Sequence, residues 1–284
     1  MLAHELIYGH QQGLRWIVDT TPRVLGQDWQ KLAAVAQELG DKVAIVTGCT
    51  GTNDLTVKHL FEEPKTLDSA EFELEVKKAA NDFEFDIKTG YNNIKAGFIG
   101  EIIILQMSDI EKARLTAAVT VSKDIGVPII VSLDDNESMI SQFVEYVQKD
   151  LDYDNPKLIV QTSVIKPILD TNFTLCLTQF SRGLTNLKNN HSKNYKMKDN
   201  RHEIHKFLKS LDPSDTIISR ILISTNVTGT LHLTPLVKTH LLQFGGDSYS
   251  IYNFLSTHSD PIPTSTLSQI FIINPIPLFR YFTR

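Results

Sequence analysis

Short apolar runs and amphipathic helical stretches alternate along this chain. Leu14 to Thr20 reads as a strand closed by Thr20-Thr21-Pro22. Asp28 then opens a helix with apolar residues at Leu32, Val35, Ala36 and Leu39, and Gly40 ends it. Lys42 to Thr47 is the next strand, with Gly48 at its exit, and Asp68 to Asp82 is helical. Ile94 to Ile102 follows as a buried strand that carries two glycines and Glu101, placed here at its C-terminal end. Asp109 caps a helix through Ala113, Leu115, Ala118 and Val121, stopped near Gly126. The alternation continues with a strand at Pro128–Ser132, a helix over Ser138–Lys149, and strands at Lys157–Gln161 and Phe173–Leu177. Residues 182–200 are polar and read as a surface loop. A helix over Arg201–Leu211, a strand over Arg220–Ser224 and helices near Ser248–Ser256 and from Thr264 complete the series.

Alternation of this kind implies parallel strands joined by helical crossovers. The seven strand candidates approach the eight of a closed barrel. A doubly wound sheet would show a glycine-rich phosphate loop after its first strand, and none is present. The expected fold is α/β, a (β/α)8 TIM-type barrel in a single domain over residues 1–284.

Composition narrows the function classes. Hydrophobic content of 42% and charged content of 21% are ordinary for a globular chain. A formal charge of −5 and a pI near 6.0 leave no electrostatic footprint for nucleic acid. Cys49 and Cys176 form no CxxC pair, so neither a disulfide scaffold nor a thiolate zinc site is expected. With no apolar run of about 18 residues and no signal-peptide pattern at the start, the expectation is a cytoplasmic protein that does not enter a membrane.

Four stretches carry a family resemblance. Leu2-Ala3-His4-Glu5-Leu6 resembles the His-x-His opening motif that the phosphotriesterase-related family, among the amidohydrolase-type metal-dependent hydrolases, places at the end of strand one. Ile94 to Ile102 is similar to that family's fourth-strand segment, which ends in a metal-bridging carboxylate. Arg220 through Gly245-Gly246 to Asn274-Pro275 follows its last strand, and Asp19 to Gly26 its second-strand exit.

The resemblance implies a pair of divalent ions, usually zinc, that activate a bridging water for hydrolysis of ester or amide bonds. It assigns His4 and Glu101 as the metal ligands that keep their identity. The second opening histidine falls on Leu6, the strand-five histidine on Ser132, the strand-six histidine on or beside Thr162, and the final His-Asp pair on Thr225-Asn226. Leu6, Ser132, Thr162 and Asn226 are thus vestigial positions, and Asn226 cannot act as a base near neutral pH. The first expectation is a divergent member with a largely lost binuclear site and absent or weak hydrolase activity. Its competitors are a zinc hydrolase with one ion held by Glu101, His4 and His10, and a metal-free binding or scaffold protein.

Two further expectations concern shape. The chain starts almost on the opening motif and leaves little of strand one. The expectation is that another segment fills the gap, a partner chain does, or the gene model is truncated; an open barrel edge would favour self-association. Other groups read as structural: a solvated helix face for Arg201-His202-Glu203-Ile204-His205, a helix N-cap for Asp134-Asp135-Asn136-Glu137, and an inert buried thiol for Cys49.

Overall fold

The structure, a computed structural model, describes residues 6–7, 10–11, 16–21, 27–49, 66–134, 136–178, 180–181, 198–199, 201–212, 214–224 and 254–270. Of the expected features, His4, Asn226, Gly245-Gly246, Asn274-Pro275 and most of the 182–200 stretch lie outside these residues.

The strands are β1 (Trp16–Asp19), β2 (Ala44–Cys49), β3 (Phe98–Ile104), β4 (Ile129–Leu133), β5 (Leu158–Gln161), β6 (Thr174–Thr178), the short β7 (Phe180–Ser181) and β8 (Lys198–Asp199), and β9 (Ile221–Ser224). Among the described residues, seven of them form one sheet in the order β1-β2-β3-β4-β5-β6-β9, every neighbouring pair parallel. Strands β7 and β8 pair antiparallel as a separate ribbon. The helices are α1 (Trp29–Leu39), α2 (Ser69–Lys88), α3 (Asp109–Ile125), α4 (Glu137–Glu145), α5 (Lys166–Leu169), α6 (Arg201–Ser210) and α7 (Thr264–Ser268). This is the expected barrel-type α/β fold, and all seven predicted strands are present within a few residues of their expected limits.

The two faces of the sheet carry different side chains because the strand period is two. One face contributes Ile99, Ile129, Val131, Leu158, Val160, Leu175 and Ile221 to a large core shared with helix residues such as Phe83, Leu115, Ala118 and Phe143. The other face forms a second cluster with one residue from each strand of the large sheet: Val18, Val46, Phe98, Ile130, Ile159, Cys176 and Leu222. Those seven fill the barrel interior, as side-chain layers fill such barrels in general.

Caps follow the local chemistry. Asp68 and Glu71 form a reciprocal capping box on α2. The N-cap of α3 is Ser108 rather than Asp109, because the Glu111 carboxylate reaches back to accept from Ser108 N at 2.7 Å and Leu105 N at 2.7 Å. Helix α2 runs on to Lys88 instead of stopping at Asp82, since Phe83 and Ile87 continue its buried stripe. Strand β3 begins at Phe98 rather than Ile94. Asn92 and Asn93, at φ 51° and 64°, make a two-residue turn in which Tyr91 and Ile94 exchange backbone hydrogen bonds. The strand also continues through Ile102-Ile103-Ile104, so Glu101 lies at its centre and not at its end.

Candidate functional site

Glu101 owes its position to two glycines and an irregular register. Ile99 pairs with Ile129 but Ile102 pairs with Val131, so β3 carries one extra residue at Gly100-Glu101. Bulges of this kind re-aim a side chain. Gly100 has φ 134°, and a Cβ there would stand 2.4 Å from the carbonyl oxygen of Ile130. Only glycine lets β3 approach β4 this closely. Gly48 is constrained from the other side: its Cβ would meet Phe98 Cε2 at 2.3 Å.

The Glu101 side chain is 2% exposed, and its Oε1 takes a hydrogen bond from Ser132 Oγ. Ser132 lies two residues beyond Ile130 on β4 and therefore shares its inward face. Ser132 Oγ is also 2.9 Å from Gln161 Oε1. One hydroxyl proton serves only one of these acceptors, and the charged carboxylate is the stronger. A half-turn of the Gln161 amide then offers an N–H to Ser132 Oγ. Gln161 pairs in register with Ser132 on one side and Cys176 on the other. Burial, and secondarily the Glu101 charge, pushes the Cys176 thiol up to about 12 from its ordinary value of 9.0. Cys176 is accordingly a thiol at neutral pH and no nucleophile.

The positions where the resemblance places lost ligands fall in different surroundings. Ser132 is bonded to Glu101. Thr162 is buried just past β5, and its Oγ1 accepts from Val164 N at 3.0 Å, which closes a turn. Leu6 lies in a helical turn and packs with Ile7 against Leu39 and Val43. His4 and Asn226 fall outside the described residues. Gln161 and Cys176 were not singled out from sequence. The available signal was the alternation of Ile159 with Gln161, which repeats that of Ile130 with Ser132.

Other candidates resolve too. Cys49 is fully buried in the helix–sheet core, as expected of an inert thiol. Asn136 caps α4 by accepting from Met139 N at 3.2 Å. The helix face at Arg201–His205 is only partly solvated: His202 is exposed, whereas His205 is buried and its Nε2 donates to the carbonyl oxygen of Asp260 at 2.7 Å. The sequence reading missed this because the covering residues, Phe254 to Asp260, lie some fifty positions further along the chain.

The row of Glu101, Ser132, Gln161 and Cys176 offers one carboxylate, one hydroxyl, one carboxamide and one protonated thiol. That donor set does not fit a pair of zinc ions, which take imidazoles, carboxylates and thiolates. Among the described residues, no group of three or more His, Cys, Asp or Glu side chains is arranged to hold a metal ion. No helix among them is long and apolar enough to cross a membrane.

Parallel strands and helical crossovers, with a side-chain layer inside them, together define a (β/α) barrel. The model of the phosphotriesterase family matches residues 1–152, more than half of the 284, and the chain belongs to that family. Among solved structures, it is similar to the phosphotriesterase homology protein from Escherichia coli, whose crystal structure holds phosphate in the active site. The identity is 16%, the TM-score 0.63, and the match covers 98% of this chain and 88% of that one. No curated protein matches this chain.

Proposed function

We propose that this chain is a phosphotriesterase-family hydrolase-like protein whose binuclear metal site is largely lost, with hydrolase activity absent or weak. One observation carries the reading. Glu101, which corresponds by resemblance to the bridging carboxylate, is hydrogen-bonded by Ser132 at the position where a ligand histidine falls in the family. A serine hydroxyl satisfies a carboxylate oxygen but is a weak ligand for zinc. Gln161, beside the strand-six position, extends the same neutral row.

Elemental analysis of the purified protein tests this, after equilibration with zinc and removal of the excess. The expected result is far less than one ion per chain and a melting temperature unchanged by chelator. One ion per chain that is lost in Glu101→Ala, together with turnover of an ester, lactone or N-acyl substrate, favours the mononuclear hydrolase built on Glu101, His4 and His10.

A further inference from the structure

The corner between α6 and residues 254–260 holds a group of imidazoles that plays no part in the barrel interior. His205 and His258 stack with ring centroids 4.1 Å apart and planes inclined by 37°. His202 stands edge-on to Phe254 at 4.9 Å and lies 6.2 Å from His258. Both members of the stack are tied to one residue by fixed proton positions. His205 Nε2 carries a hydrogen, because it donates to Asp260 O at 2.7 Å. His258 Nδ1 carries none, because it accepts from Asp260 N at 3.3 Å. The segment is rooted in the core on both sides of this contact: Leu255 and Ile262 are buried, and Ile262 N donates to Leu255 O at 2.9 Å.

We propose that His205 and His258 form an acid-released clasp, holding residues 256–260 against α6 while at least one imidazole is neutral and letting go when both are protonated. The first proton is tolerated at His205 Nδ1, since the bond from Nε2 to Asp260 O survives it. A second proton must enter at His258 Nδ1. It cancels the bond from Asp260 N and sets two imidazolium rings in contact. The surrounding charges do not remove that conflict. The Asp260 carboxylate is held below its ordinary range chiefly by the hydrogen bond from Lys209 Nζ, which engages it at 2.6 Å. The Arg201 guanidinium, 5.6 Å from the Phe254 ring, adds positive charge from the same helix. His202 faces His258 as well. Glu203 and Lys206 sit exposed on α6.

Hydrogen–deuterium exchange of the full chain tests the clasp between about pH 7.5 and pH 5.5, the range in which histidine changes charge, after correction for the intrinsic rate. The expected result is a loss of protection of roughly tenfold or more over residues 201–210, with the α3 amides unchanged. His258→Gln keeps an acceptor for Asp260 N but takes no proton, so its protection should not depend on pH. Equal protection of 201–210 at both pH values in the native chain would overturn the proposal, as would a pH-dependent loss that persists in His258→Gln. Should His258→Gln be unprotected even at the higher pH, His205→Gln takes its place, because its amide still donates to Asp260 O. There only the bond from Asp260 N is left to lose, so a pH-dependent loss as large as in the native chain overturns the proposal equally.

Discussion

Two levels of the barrel interior, built from the same strands, behave as different materials. In the lower level Val46, Phe98, Ile130, Ile159 and Leu222 meet as a buried apolar plug. Two residues further along β4 and β5, Ile130 gives way to Ser132 and Ile159 to Gln161, and Glu101 joins them through the bulge in β3. Backbone geometry is shared between the levels, because parallel register carries both. The chemistry differs because the lower level only fills space, whereas every polar atom in the upper one needs a partner to offset its lost hydration. Strand period, with the bulge at Glu101, thus sets where a side chain points, and residue type decides whether that place is packing or a site.

The lower level should break hardest. Phe98→Ala removes a fully buried ring from the plug and should cost about 3–5 kcal/mol in urea unfolding. Gly48→Ala should cost about 3 kcal/mol by overpacking, since the added methyl meets both the Phe98 ring and, at 2.4 Å, the Gly100 carbonyl oxygen. Combined, the two should fall short of their sum by more than about 1 kcal/mol, because the methyl then enters space the ring has vacated. Simple additivity would mean that Gly48 is not held small by Phe98.

The upper level should respond to the loss of a single atom. Ser132→Ala takes only a hydroxyl oxygen, yet it strips a donor from a buried carboxylate and should cost about 1–3 kcal/mol. Ile130→Val, one methylene smaller in the plug below, should cost about 0.5–1.5 kcal/mol. A cycle with Glu101→Gln sharpens the contrast. If Ser132→Ala costs the same with and without the Glu101 charge, the hydroxyl is not there to serve the carboxylate.

The plug was far more legible in the sequence than the site. Apolar runs such as Pro128-Ile129-Ile130-Val131 announce strands by composition alone, and seven of them appear in the sheet. The resemblance located Glu101 and Ser132, but not what joins them. A bulge that turns Glu101 inward depends on how β3 pairs with β4, and no local pattern shows it. Gln161 and Cys176 enter through register across three strands, a long-range property. The left-handed turn at Asn92-Asn93 was visible as two asparagines, yet the apolar Ile94 after them extended the predicted strand backwards. His205 misled for a similar reason: an isolated helix wheel cannot show which distant segment lies over it.

Cys176 belongs to both levels, packing in the plug while its thiol feels the Glu101 charge, and its titration should give the smallest but cleanest reading of the difference. The folded thiol holds its proton up to about 12, whereas the unfolded one releases it near 9.0. Below that lower value both states are protonated and the linked stability is fully present. As pH rises beyond it the unfolded chain alone loses a proton, so stability must fall. From about pH 8 to about pH 10 the loss amounts to roughly 1.4 kcal/mol for one such group. It should be measurable as the part of the native chain's decline in urea stability that Cys176→Ala lacks, under reducing conditions. Burial is the larger cause of the shift and the Glu101 charge the smaller, so Glu101→Gln should leave most of this slope in place. A slope abolished by Glu101→Gln would instead make the upper level's charge, not burial in the plug, the force that keeps this thiol protonated.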